Sequence, residues 1–468
     1  MITYNPILNT DSYKTSMYRQ IQIGSEYTSS YIESRGTERG WDELMVYGIQ
    51  MFLKEYMSVP ITQEHIEYAD EFLTAHGEPF NREGWEYIVN NYDGMMPLSI
   101  QSVPEGTVLP LSNVIVQVIN TDKKLAWLTT YIEQKLLRAV WYPSSVATQD
   151  MYIKRTIKRY MDKTSCSETA DADMMFKLHD FGGRGVSSYE SAGIGGSAHL
   201  VNFMGTDTLT GALFARVFYN EHMAGFSIPA TEHSTMTSWG GEAGEIDAFK
   251  NFLDEYLEEG KTIACVSDSY SIMDACDKWF TFEDRLKNSG GTLVIRPDSG
   301  VPEEIVTQVI SKLMTLFGYT TNEKGYKVLP PYIRVLQGDG INGDSIDTIL
   351  HQMVYFKQSA DNIAFGMGGA MLQMVHRDTQ EFAMKNSASR INGKWIDVYK
   401  DPITDSGKRS KKGRLALVKN AVGDYQTKRE SALIHQSNNL LRTVWENGVL
   451  LIDEDFSTIR ERAASQYM

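Results

Sequence analysis

Residues 178–211 read LHDFGGRGVSSYESAGIGGSAHLVNFMGTDTLTG, setting one arginine, two histidines and two aspartates among glycines and hydroxyls. Long aliphatic side chains are few, so the stretch carries little core material. Glycine lets a backbone approach a ligand closely and take positive φ. Successive backbone N–H groups in glycine-rich turns form concavities that hold anions. A long, ordered surface loop has the same composition.

Similar chemistry stands at the ends of four short apolar runs downstream. Thr262–Ser267 (TIACVS) runs into Ser267-Asp268-Ser269, and Thr292–Ile295 (TLVI) into Arg296-Pro297-Asp298-Ser299-Gly300. Ile333–Leu336 (IRVL) leads to Gln337-Gly338-Asp339-Gly340, and Asn362–Phe365 (NIAF) to Gly366-Met367-Gly368-Gly369. These loops suit a phosphorylated sugar. Aspartates can take ribose hydroxyls or Mg²⁺, and glycine N–H groups can take phosphate.

Each run has the length and β-branched content of a strand, and helical spacing separates them. Helices are expected over Ser271–Lys287 and Pro302–Phe317, and around Ile346, Ile349, Leu350 and Met353. Upstream, Glu245–Glu259 would bury Ile246, Phe249, Leu253, Tyr256 and Leu257 on one stripe. Repeated β-then-α units imply an α/β fold with a parallel sheet and right-handed crossovers. In a βα barrel the active site is built from the loops after the strands.

The flanks differ. Val108–Val118 reads as β structure with a turn, and Asn392-Gly393 and Asn447-Gly448 are hairpin signals inside Arg390–Tyr399 and Thr443–Ile452. Antiparallel hairpins at both ends suggest one discontinuous α+β domain, residues 1–145 plus 386–468, around a barrel of residues 146–385. No internal repeat or low-complexity segment is visible.

Composition bounds the rest. The chain has 468 residues, 42% hydrophobic and 22% charged, ordinary for a soluble globular protein. A net charge of −15 argues against nucleic-acid or membrane-surface partners. An anionic ligand then needs a local basic cluster, and Lys408-Arg409-Ser410-Lys411-Lys412-Gly413-Arg414, just after Lys400, is one. A solvated loop, a localisation-type signal and a pyrophosphate clamp all fit it. Cys166, Cys265 and Cys276 match neither a disulfide framework nor zinc spacing, as expected in a reducing cytoplasm. No signal peptide or run long enough to span a bilayer is visible.

Ten blocks carry a more specific likeness: TDSYK (Thr10–Lys14), WYPSSVAT (Trp141–Thr148), HDFGGRGVSS (His179–Ser188), HLVNFMGTDT (His199–Thr208), IPATEHST (Ile228–Thr235), VSDSY (Val266–Tyr270), IRPDSG (Ile295–Gly300), QGDG (Gln337–Gly340), NIAFGMGG (Asn362–Gly369) and KRSKKGR (Lys408–Arg414). In this order they are spread over residues 10–414 of the chain, which resembles the nicotinamide phosphoribosyltransferase family, of the type II phosphoribosyltransferase fold. The resemblance implies an irregular βα barrel with a discontinuous α+β domain containing antiparallel sheet. It also implies a cytoplasmic homodimer with composite sites, acting in NAD salvage. Its reaction joins nicotinamide to 5-phosphoribosyl-1-pyrophosphate, giving nicotinamide mononucleotide and pyrophosphate, with Mg²⁺ held through the substrate phosphates and ATP as a facilitating co-substrate.

The resemblance also implies roles. Phe181 would form one face of the nicotinamide slot and Tyr13, from a second subunit, the other. Asp207 would accept from the carboxamide. Arg184 and Arg296 would contact anion and amide, Asp298 the ribose hydroxyls, and Ser267, Gly338, Asp339 and Gly369 the substrate. Arg377 and Lys385 would reach into a neighbouring subunit's site, with Arg35, Lys400 and Lys408 as further pyrophosphate or ATP ligands. His233 matches the histidine that accepts a phosphoryl group from ATP. Neutral imidazole is a competent acceptor near pH 7.

Three positions depart from the pattern: Gly183 replaces an aromatic, Ser271 an acid and Met367 a serine. Two other readings share the scaffold, a nicotinate phosphoribosyltransferase and a non-catalytic nucleotide-binding protein. Asp207 separates the first two bases, since a carboxylate accepts from an amide and repels a carboxylate.

Overall fold

The structure, a computed structural model, describes residues 4–403 and 409–466. It divides into two compact units, residues 1–148, 216–221 and 376–468, and residues 149–215 and 222–375.

The first unit is organised by a seven-stranded antiparallel sheet drawn from both ends of the chain. Its order is Lys394–Asp397, Phe382–Ile391, Ser25–Ser34, Val114–Asn120, Leu98–Ser102, Arg442–Glu446 and Val449–Leu450. The expected hairpins are its two ends. Asn392 and Gly393 take φ of 47° and 78°, and Asn447 and Gly448 take 50° and 91°. Two consecutive positive φ values suit the twist of a two-residue hairpin turn. Trp85, Trp127 and Tyr131 meet edge-to-face, with centroids 4.8, 4.9 and 5.6 Å apart, in the core against this sheet.

The second unit holds a six-stranded parallel sheet. Its order is Gly205–Thr206, Leu178–Asp180, Ile363–Met367, Ile333–Gln337, Thr292–Arg296 and Thr262–Val266. Phe226 bridges Gly205 at one edge and Ala230 bridges Ala264 at the other, so the segment 226–230 closes the sheet into an irregular barrel. Ala264, Val294 and Leu336 cluster with Phe181, Ile228 and Ala364. The intervening residues Cys265, Ile295 and Val335 are also buried, so each strand reads as an unbroken apolar run. The helices Pro302–Phe317 and Gly343–Tyr355 follow two of the strands.

The four expected strands are present, but two helical expectations change. The helix expected over Ser271–Lys287 is two, Ile272–Phe280 and Glu283–Ser289. The Thr281 hydroxyl donates to the Lys278 carbonyl, and the Phe282 amide to Trp279, tightening the turn between them. In Glu245–Tyr256 the buried face is Ala248, Phe249, Phe252 and Leu253, whereas Ile246 and Tyr256 are exposed. Phe249 sets this rotation by stacking on Trp279 with centroids 4.0 Å apart.

Candidate active site

The loops at the C-terminal ends of the barrel strands surround a cleft of about 1220 Å³. Nine expected site residues line it: Phe181, Arg184, Asp207, His233, Arg296, Asp298, Gly338, Asp339 and Gly369.

Phe181 follows the strand Leu178–Asp180, and its amide donates to the Met367 carbonyl at 3.0 Å. The ring lies so close to Gly366 that a Cβ there would come within 2.0 Å of it. Glycine at 366 is therefore the condition for the ring's position. Arg296 lies 5.7 Å from the ring centroid, within cation–π range. It donates to the Thr231 carbonyl at 3.2 Å and sits 3.6 Å from Asp298, while its buried Nε has no partner.

Asp207 emerges from Gly205–Thr206. Its amide donates to the Asp180 carbonyl at 2.9 Å. The Ser227 hydroxyl donates to Oδ1, leaving Oδ2 with unspent capacity. Asp180 caps the neighbouring loop by accepting from the Gly182 amide at 2.7 Å. The Gly183 amide donates to the Thr208 hydroxyl at 3.1 Å, and a Cβ at 183 would stand only 3.0 Å from that oxygen. A side chain at 183 would press on Thr208.

His233 begins the short helix His233–Thr237 with its side chain half exposed. Its Nε2 pairs with Asp268 Oδ1 at 2.9 Å, and the Asp268 side chain is only 5% exposed. The strand-end loop Ser267–Ser269 already flags Asp268, but neither its pairing with His233 nor the part of Ser227 is legible in the motifs. Ser271 caps Ile272–Phe280 by accepting from the Asp274 amide.

Ser267 has a different place from the one expected. It is fully buried, and its hydroxyl donates to the Cys265 carbonyl and accepts from Trp279 Nε1, both at 3.0 Å. It supports the strand end rather than facing the cleft.

Five expected residues belong to the first unit. Tyr13 is 57% exposed on the turn Ser12–Arg19. Arg35 pairs with Glu33 at 2.9 Å and Arg377 with Asp378 at 2.9 Å. Lys385 stands on Phe382–Ile391, where burial lowers its pKa. The amide of Lys400 donates to the Ser410 hydroxyl at 2.9 Å. Lys408 lies outside the described residues.

Among the described residues no group of three or more His, Cys, Asp or Glu side chains could hold a metal ion by itself, and no helix is long and apolar enough to cross a membrane.

The nicotinate phosphoribosyltransferase family model matches residues 176–449, and the nicotinamide phosphoribosyltransferase N-terminal domain matches residues 5–100. The chain is 48% identical to a nicotinamide phosphoribosyltransferase of Xanthomonas campestris, over 98% of each protein. It is 29% identical to one of Acinetobacter baylyi, over 99% of this chain and 97% of that one. The crystal structure of a nicotinate-nucleotide pyrophosphorylase from Pyrococcus furiosus superposes with a TM-score of 0.64, at 17% identity, covering 99% of this chain and 97% of that one. That likeness shows the type II phosphoribosyltransferase fold. The chain belongs to the nicotinamide phosphoribosyltransferase family, and it is a pentosyltransferase.

Proposed function

We propose that this member of the family makes nicotinamide mononucleotide and pyrophosphate from nicotinamide and 5-phosphoribosyl-1-pyrophosphate, returning nicotinamide to NAD. The observation that carries the choice of base is Asp207, at the cleft with Oδ1 held by Ser227 and Oδ2 left to accept from a carboxamide N–H. A charged hydrogen bond of this kind is worth about 1.5–3 kcal/mol. A nicotinate carboxylate in the same place meets like charge, a juxtaposition that costs several kcal/mol.

The ring nitrogen of nicotinamide attacks the anomeric carbon with its lone pair. The bond from that carbon to the pyrophosphate oxygen breaks, and its electron pair leaves with pyrophosphate. The new C–N bond leaves the positive charge on the pyridinium ring of the product. In this reading Phe181 provides one face of the slot, and Tyr13 of a second copy the other. Asp298 accepts from the ribose hydroxyls, and the Gly338, Asp339 and Gly369 loops cradle the ribose phosphate. Arg184 and Arg296 balance the leaving group, with Arg35, Lys400, Lys408 and a second copy's Arg377 and Lys385 as further clamps. Fixed donors aimed at developing charge supply most of the stabilisation in such sites.

Mg²⁺ fits the donor chemistry, since it keeps several waters and binds through one or two carboxylates plus substrate phosphates. Asp298 and Asp339 are the carboxylates of the cleft that would hold it, and the ion would neutralise phosphate charge.

His233 is proposed to carry the ATP coupling. With Nε2–H donated to Asp268, Nδ1 keeps the lone pair that a phosphoryl acceptor needs.

The test is mononucleotide formation by the purified chain with phosphoribosyl pyrophosphate, Mg²⁺ and either base, with and without ATP. Nicotinamide should be strongly preferred, and His233→Ala should remove stimulation by ATP while impairing rather than abolishing basal transfer. Preference for nicotinate would overturn the choice of base, and binding without turnover would leave a nucleotide-binding protein. Mixing Tyr13→Ala and Phe181→Ala proteins should restore activity if sites are composite in a homodimer.

A further inference from the structure

His199 ends the helix Tyr189–His199, and its side chain is fully buried. Its Nδ1 stands 2.7 Å from Asp150 Oδ2, on an aspartate that is also fully buried, and its Nε2 stands 2.9 Å from the Gly205 carbonyl. A carbonyl only accepts, so Nε2 carries a proton, while Nδ1 faces a carboxylate. Burial opposes charge on this ring, but Asp150, then Asp180, hold its pKa above the ordinary value. Neither His199 nor Asp150 lines the cleft. Burying an ion pair is costly, and well-packed apolar residues of similar volume often replace one without loss of stability. Packing alone gives no reason for this pair.

The reason lies in what Gly205 leads to. Thr206 donates its amide to the Phe226 carbonyl at 3.0 Å, and Asp207 donates its amide to Asp180 at 2.9 Å. The Thr208 hydroxyl accepts from the Gly183 amide, and Asp180 accepts from the Gly182 amide. The Gly205–Thr208 turn thus ties the carboxylate of Asp207 to the loop that carries Phe181. Gly205 is itself confined, since a Cβ there would fall 2.4 Å from His179 Nδ1. The His199 ring is steadied from the side by Phe203, stacked with centroids 5.5 Å apart.

We infer that Asp150 and His199 are positioning residues for the base slot, fixing the Gly205–Thr208 turn so that Asp207 meets the carboxamide while the ring rests on Phe181. The inference rests on the proposed function for its kinetic consequence and on the turn alone for its structural one. In Asp150→Ala the imidazole loses its carboxylate. In His199→Gln the two acceptors lose their shared donor. Asp150→Asn is the conservative variant, because its amide can donate to Nδ1 and leave Nε2–H on Gly205.

The test combines steady-state kinetics with amide hydrogen exchange on the full chain. A displacement of about 1 Å in a substrate-positioning group can cost on the order of 100-fold. Asp150→Ala and His199→Gln should therefore raise the KM for nicotinamide by roughly 10-fold or more, with little change in the KM for phosphoribosyl pyrophosphate. Amides of 205–208 should exchange faster while those of Thr262–Val266 stay protected, and Asp150→Asn should recover most of both properties. If Asp150→Ala fails to fold, His199→Gln carries the comparison. Equal rises in both KM values, a uniform loss of protection, or an Asp150→Asn as damaged as Asp150→Ala would each overturn the inference. If the wild-type chain does not turn over nicotinamide, the proposed function falls, and the exchange pattern decides by itself whether the pair holds the turn.

Discussion

The parallel barrel has a cleft at each end, about 1220 Å³ beyond the C-terminal ends of its strands and about 800 Å³ at the N-terminal ends. Both are lined by cations and carboxylates, so neither volume nor residue type separates them. What their cations bind does. At the N-terminal end Lys177 donates to the carbonyls of Ala360 and Ile363 at 2.8 and 2.9 Å, and Arg334 to those of Pro330 and Ile333 at 2.8 and 2.7 Å. Asn362 serves the backbone of Lys327, Leu329 and Ser359. These groups satisfy buried backbone, a structural task. At the C-terminal end Arg296 leaves Nε without a partner, the ion pair with Asp298 is long at 3.6 Å, and Asp207 is held by one oxygen. Asp361 Oδ1 is unpartnered at the N-terminal end too, so the difference lies in the cations: those of the N-terminal end are spent on backbone carbonyls, whereas Arg296 keeps a donor for a ligand.

Substitutions at the two ends should fail in different currencies. The largest effect on turnover should follow Phe181→Ala, which removes the proposed wall of the base slot and the ring beside Arg296. We expect kcat/KM for nicotinamide to fall by about 100-fold or more, since misplacing a reactant carries penalties of that order, with some loss of melting temperature from the ring's packing beside Ala264, Val294 and Leu336. Lys177→Met should do the reverse, leaving the KM essentially unchanged while stability falls by about 1–3 kcal/mol from unsatisfied carbonyls. This loss also has a pH signature. Burial pulls Lys177 from an ordinary 10.5 down to about 8, so between these values the unfolded chain binds more protons than the folded one. Stability from this group therefore rises with pH across that window, and the rise should vanish in the methionine variant when denaturation is compared at about pH 7 and about pH 10. The smallest effect should be Ser227→Ala, which frees Asp207 Oδ1 and raises the nicotinamide KM by about 5-fold, less than the full worth of a hydrogen bond to a carboxylate because Ser227 orients Asp207 without touching the base.

The unequal legibility of these regions in the sequence has the same origin. Strands such as Thr262–Val266 and Ile333–Gln337 announce themselves because both faces are buried and the apolar run is unbroken. The Asn-Gly hairpins are legible because their turns demand positive φ. The strands Leu178–Asp180 and Gly205–Thr206, with the bridging Phe226–Ala230, close the barrel but span too few residues to show a period. The motif at 178–211 was therefore visible as chemistry before it was visible as barrel wall. Ser267 was misplaced because a hydroxyl beside an aspartate at a strand end reads as ligand-facing. Trp279, 12 residues away, is what claims it. Likewise Ile246 and Tyr256 fit the helical period of their segment, yet the stacking of Phe249 on Trp279 turns them outward.

The central claim, that unspent capacity on Asp207 selects the base, is tested most directly by competing nicotinamide against nicotinate in the wild-type chain and in Asp207→Ser. The account predicts a strong wild-type preference for nicotinamide, and its loss or reversal when the carboxylate becomes a hydroxyl with Phe181 left in place. An unchanged preference in Asp207→Ser, or a wild-type preference for nicotinate, would contradict it.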